Sequence, residues 1–127
     1  MAVTLSEVDP FDLPEWLGNV DVTWTAGSSV TRGGHVVGEL TGDGAAVGCD
    51  LLAADVAYPE PVLDQEWRRS AHQHWTHGQV LLVECDGRLT LAVPGVGFTA
   101  DLALECLGRL AKAVGAKPAR FVAALRL

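Results

Sequence analysis

Hydrophobic and polar positions change period along this chain, and the changes predict its elements. Val20, Val22 and Trp24 alternate with Asp21, Thr23 and Thr25, the period-two pattern of a half-buried strand. A turn at Ala26-Gly27-Ser28 leads to a second strand expected around Val30 to Leu40, in which Gly33-Gly34 marks a bulge or break. Thr41-Gly42-Asp43-Gly44 is a turn signal. The almost wholly apolar, small-residue run from Ala46 to Tyr58 predicts a third, central strand. Pro59-Glu60-Pro61 stops the sheet and opens a helix whose apolar stripe passes through Leu63, Trp67, Ala71 and Trp75 and ends at Gly78.

Val80–Glu84 and Leu89–Val93 flank Cys85-Asp86-Gly87-Arg88, and Asp-Gly between apolar runs is the best hairpin signal in the chain. Thr99 is placed to cap a second long helix. Its buried stripe is Ala103, Cys106, Leu107, Leu110 and Val114, Glu105 and Arg109 form an i,i+4 pair on its wet face, and Gly115 and Pro118 end it. Phe121, Ala123, Leu125 and Leu127 alternate in a last strand. At the other end, residues 1–10 are expected to form a loose leader. Asp12 and Glu15 have capping-box spacing for a helical turn ending at Gly18, with Phe11, Leu13, Trp16 and Leu17 as its apolar side.

The element order, short α-βββ-α-ββ-α-β, predicts one α+β domain over residues 1–127. Its expected form is an antiparallel sheet of about five to six strands with two main helices packed on it. Composition agrees with a folded domain: 49% hydrophobic and 20% charged residues over 127 positions. There is no Ile and only one Met, so Leu, Val and Ala must build the core. The Ala-, Val-, Gly- and Arg-rich alphabet points to the coding bias of a GC-rich bacterial genome.

The net charge of −7 narrows the partners. Nucleic-acid binding needs clustered cations to displace counterions, and Arg68-Arg69 is the only basic pair, so neither nucleic acid nor an anionic membrane is expected. The first residues carry no basic segment followed by an apolar run, and no 18-residue apolar window occurs. Cys49, Cys85 and Cys106 are odd in number, lack CxxC spacing and sit in apolar stretches, as reduced structural thiols do. A cytoplasmic location is the expectation.

Candidate chemistry centres on His35, Asp50, Asp55, His74 and Trp16. His72, His74 and His77 crowd one helical turn, but at about 100° per residue they cannot share a face. His74 and His77 could form a two-ligand pair with no carboxylate nearby to complete it, so no metal is expected. His35 and Cys49 could be neighbours on adjacent strands as a base and a nucleophile, although Cys49 lies in a small apolar run where a packed thiol is the simpler reading. Asp50 and Asp55 interrupt the central strand on opposite faces. A carboxylate turned inward requires a partner, and Arg68 or Arg69 is the candidate; otherwise the strand overruns the sheet and both are wet. The glycine pairs lack the strand-loop-helix context of a phosphate loop. Trp16, if exposed, is a candidate partner anchor.

The segment Glu66–Gly115, chiefly the hairpin Val80–Val93 followed by the helix Thr99–Ala113, resembles the type III secretion chaperone-like fold with its YbjN-like group. The resemblance implies a small, acidic, dimeric, non-catalytic protein. The opening helix here is shorter than that family's, and the strand Arg120–Leu127 is additional. The expected function is therefore a non-enzymatic protein-interaction or chaperone-like module without cofactor, bound to a protein partner or to itself as a homodimer. The alternative is a small-molecule-binding or enzymatic domain whose pocket uses His35, Asp50, Asp55 or His74.

Overall fold

Two tight turns set the register of the sheet. In the computed structural model, which describes residues 5–30, 34–54, 80–94 and 97–127, Asp43-Gly44 and Asp86-Gly87 both take the left-handed backbone, with φ of 52° and 74° and of 53° and 77°. That is the type I′ geometry whose twist matches paired strands. The first turn joins β4 (Gly38–Gly42) to β5 (Ala45–Ala54), and the second joins β6 (Leu81–Cys85) to β7 (Arg88–Pro94).

Among the described residues, the remaining strands are β1 (Leu5–Glu7), β2 (Val22–Ala26), β3 (His35–Val36) and β8 (Phe121–Ala124), and the α-helices are α1 (Trp16–Asn19) and α2 (Ala100–Ala113). The sheet order is β1-β6-β7-β5-β4-β2-β8, with β3 also paired to β5. The protein is thus mixed α+β, but its sheet counts eight strands among the described residues rather than five to six, and it is mixed rather than purely antiparallel. β5 runs parallel to β7, and β2 parallel to β8. Apolar alternation is the same in both kinds of pairing, so the pattern carries no strand direction.

β5 and β7 contribute to apolar clusters on both of their faces. Cys49, Leu51, Leu91 and Val93 join the main core, where Trp24, Leu40 and Leu17 are also fully buried. Their alternate residues Leu52 and Ala92 join Leu81 and Val83 in a second, smaller cluster. α2 closes the main core with Ala103, Cys106, Leu107 and Leu110, each fully or almost fully buried. Each such leucine contributes about 1.5–3 kcal/mol of transfer free energy. Thr99 caps α2 as expected, its Oγ1 accepting from Leu102 N at 3.2 Å. At the other end Gly115 (φ 78°) donates to Lys112 O and Ala116 to Ala111 O, the paired bonds of a Schellman stop.

Several expectations change at the N-terminal side. Leu5–Glu7 is not loose leader but an edge strand, antiparallel to β6. The cap is Asp9, whose carboxylate accepts from Phe11 N at 2.9 Å over a 3-10 turn at Pro10–Asp12, while Glu15 makes no side-chain cap. Of the expected apolar side, Phe11 is 96% exposed, whereas Leu17 is fully buried and Leu13 and Trp16 pack against the core. The second strand begins at His35 rather than Val30, and the last ends at Ala124. The helix expected after Pro61 lies outside the described residues. Among the described residues, no helix is long and apolar enough to cross a membrane.

Candidate functional site

Among the described residues, a built polar cluster starts from the buried Asp50. It sits mid-strand in β5, on the face opposite Cys49 and Leu51, and its side chain is only 5% exposed. A carboxylate held there needs charge and hydrogen bonds. Arg88, the first residue of β7, provides both: Nη2 lies 2.9 Å from Oδ1, and Nε lies 3.1 Å from each carboxylate oxygen. Gly48 makes this possible. A Cβ there would lie 2.7 Å from Nη1 and 2.8 Å from Cζ, so the guanidinium crosses β5 where a side chain is missing. Its Nη2 continues to Gly38 O on β4 at 2.9 Å. The hydrogen bond to Asp50, then the carboxylate charge, hold Arg88 protonated more firmly than usual.

His35 completes the cluster from β3, with Nε2 at 3.3 Å from Asp50 Oδ2. It stands opposite Leu52 in the β3–β5 register and so shares the Asp50 face. Its side chain is 52% exposed and that of Arg88 is 42% exposed, so a buried anion is bracketed by two half-exposed basic groups.

The cluster closes a split in the sheet. β3 and β4 keep one continuous register against β5, from His35↔Leu52 to Gly42↔Ala45. Gly27 N donates to Val37 O, which turns Val37 toward β2 and therefore turns the N–H and C=O of Gly38 toward β5. Side chains intervene there. Gly38 N donates to Asp50 Oδ1 at 3.3 Å, Gly38 O accepts from Arg88, and Cys49 O accepts from Trp24 Nε1 at 2.9 Å. Three side chains thus take the places of ladder bonds between Gly38 and Cys49, and β3 and β4 are separate strands for that reason.

This arrangement limits the chemistry. Both Asp50 oxygens are engaged by Arg88, His35 and Gly38, leaving no free lone pair aimed at solvent for a general base. The thiols are unsuited to nucleophilic work. Burial, followed by the Asp50 charge, pushes the Cys49 thiol far up, and burial raises Cys106 to about 12. Cys85 is half-buried, and its thiol is pushed up too, again chiefly by burial. Among the described residues, no group of three or more His, Cys, Asp or Glu is placed to hold a metal ion.

Of the candidates from sequence, His35 and Asp50 come together. Among the described residues the guanidinium on Asp50 is that of Arg88, and Asp50 is not wet; Arg68 and Arg69 lie outside the described residues. His35 and Cys49 do not form a pair, because their side chains lie on opposite faces. Trp16 is half-buried against the core beside Gly42, where an added Cβ would meet its ring at 2.9 Å, so it is no exposed anchor. Asp55, His72, His74 and His77 lie outside the described residues. Arg88 was not among the expected residues. Its signal is positional: it opens a strand directly after the Asp86-Gly87 turn, and Gly48 is the residue that lies beneath it. Comparisons of this chain with family models, with curated proteins and with solved structures return no match. The resemblance to the type III secretion chaperone-like fold therefore rests on element order alone.

Proposed function

We propose that this protein is a non-enzymatic interaction module whose working surface is the outer side of β8, where it accepts an extended segment of a partner as an added strand. The observation that carries this reading is the position of β8. It ends the sheet, pairs on one side with β2, and has no strand neighbour on its other side among the described residues. Val122 is 57% exposed and Leu127 79%. Phe121, Ala123 and Leu125 pack inward against the core, so the strand is held firmly from behind. Such an edge is a template for strand addition. The saturation of Asp50 favours this reading over a catalytic one.

The main-chain direction supplies a test. Val30 N donates to Arg126 O, which turns the even-numbered residues toward β2 and leaves Ala123 N–H facing outward. Ala123→Pro therefore spares the β2 pairing while blocking the open side. Selection of a displayed random-peptide library on the immobilised protein is expected to yield binders that lose Ala123→Pro. Binders that hold both forms equally, or no binders, overturn the reading.

A further inference from the structure

Charge is divided along this chain in a way that selects the partner. All 16 acidic residues lie at or before Glu105; after it come Arg109, Lys112, Lys117, Arg120 and Arg126, with no acid among them. Arg109 is paired with Glu105. Arg120 and Arg126 bracket β8, and each donates to a backbone carbonyl beside β2, the first at the end of α1 and the second just past the strand. Arg120 Nη1 reaches Asn19 O at 3.1 Å, and Arg126 Nη1 reaches Gly27 O at 3.4 Å. Among the described residues, neither guanidinium meets a carboxylate, nor do Lys112 and Lys117. In a protein of net charge −7, Arg120 and Arg126 thus bracket the edge strand with no carboxylate partner among the described residues.

We infer that the occupant of the β8 edge is an extended peptide carrying acidic residues on both sides of a short apolar alternation. The inference rests on the strand-addition reading and adds the chemistry of the partner. A second copy is the competing occupant. Two β8 strands paired antiparallel about Ala123 would set Arg120 opposite Arg126 twice, and like charges directly opposed are destabilising. The same two residues that attract an acidic segment therefore discourage self-pairing, which is how an edge gains specificity. A nucleic acid would also meet these two arginines electrostatically. The β8 edge instead presents backbone groups and the exposed Val122, which suit a strand rather than a stack of bases.

The test uses the whole protein and three short fluorescent peptides of one alternating Val-Thr core, flanked by glutamate, by serine or by lysine, read by anisotropy. The glutamate-flanked peptide is expected to bind about fivefold more tightly than the serine-flanked one, as two exposed ion pairs allow. That advantage should fade as salt is raised, and binding should be lost in Ala123→Pro. Arg120→Glu/Arg126→Glu should reverse the order in favour of lysine. Equal binding of all three peptides overturns the acidic partner and leaves the edge reading standing. No binding by any of them overturns the edge reading itself. Tighter binding of a single-stranded oligonucleotide than of the acidic peptide overturns the inference. So does light scattering that finds a dimer which Ala123→Pro converts to the 13.4 kDa monomer.

Discussion

The indole of Trp24 fills the space that a side chain at Gly38 would need: a Cβ there would lie 2.3 Å from three atoms of the ring. The close approach lets Trp24 Nε1 reach Cys49 O across the strand boundary, and it leaves Gly38 N and O to Asp50 and Arg88. One missing methyl group thus joins the apolar and polar faces of the sheet at a single point.

Gly38→Ala is expected to destabilise the fold by about 1–3 kcal/mol, because a fully buried ring has little room to retreat. Urea unfolding followed by Trp fluorescence measures it. An unchanged midpoint with an unchanged slope would show that the indole is free to move.

Arg88→Met should cost about 2–4 kcal/mol, since it strands a buried carboxylate that keeps only His35 and Gly38 as partners. Replacing both partners, Asp50→Leu with Arg88→Met, should cost less than Arg88→Met alone, because no uncompensated charge remains. A double-mutant cycle by chemical denaturation reads the difference. A double variant weaker than the single one contradicts the role given to the pair.

The thiols predict a pH dependence. Cys49 and Cys106 are held protonated in the fold, Cys106 up to about 12, whereas in the unfolded chain they ionise at about 8.5. The folded state then binds more protons than the unfolded state above that value. Their contribution is present in full below about pH 8.5 and is lost as pH rises toward the folded value. Unfolding free energy compared at pH 8 and pH 10, in the native chain and in Cys49→Ala/Cys106→Ala, is expected to fall more steeply with pH in the native chain. Equal slopes would mean that neither thiol is shielded.

The sequence alone determined what depends on neighbours along the chain. Asp43-Gly44 and Asp86-Gly87 dictate type I′ turns because glycine and aspartate tolerate positive φ. Thr99 and Gly115 bound α2 because they satisfy the orphan groups at its ends. Alternation at Val22 and Trp24, and the stripe from Ala103 to Leu110, give the inward faces. His35 and Asp50 were also legible as candidates, as polar residues interrupting apolar runs.

Only the tertiary structure decided the rest. Parallel pairing of β5 with β7 and of β2 with β8 joins segments far apart in sequence, and an alternating strand has the same pattern whichever way its neighbour runs. The ion pair of Asp50 was invisible for the same reason, since Arg88 is 38 residues away and reaches Asp50 only because the parallel register lays it across Gly48. Whether β8 sits between neighbours or at an edge is likewise a property of the assembled sheet. Local sequence sets which face of a strand is apolar; which of its two sides finds a partner is settled when distant strands compete for the same backbone hydrogen bonds.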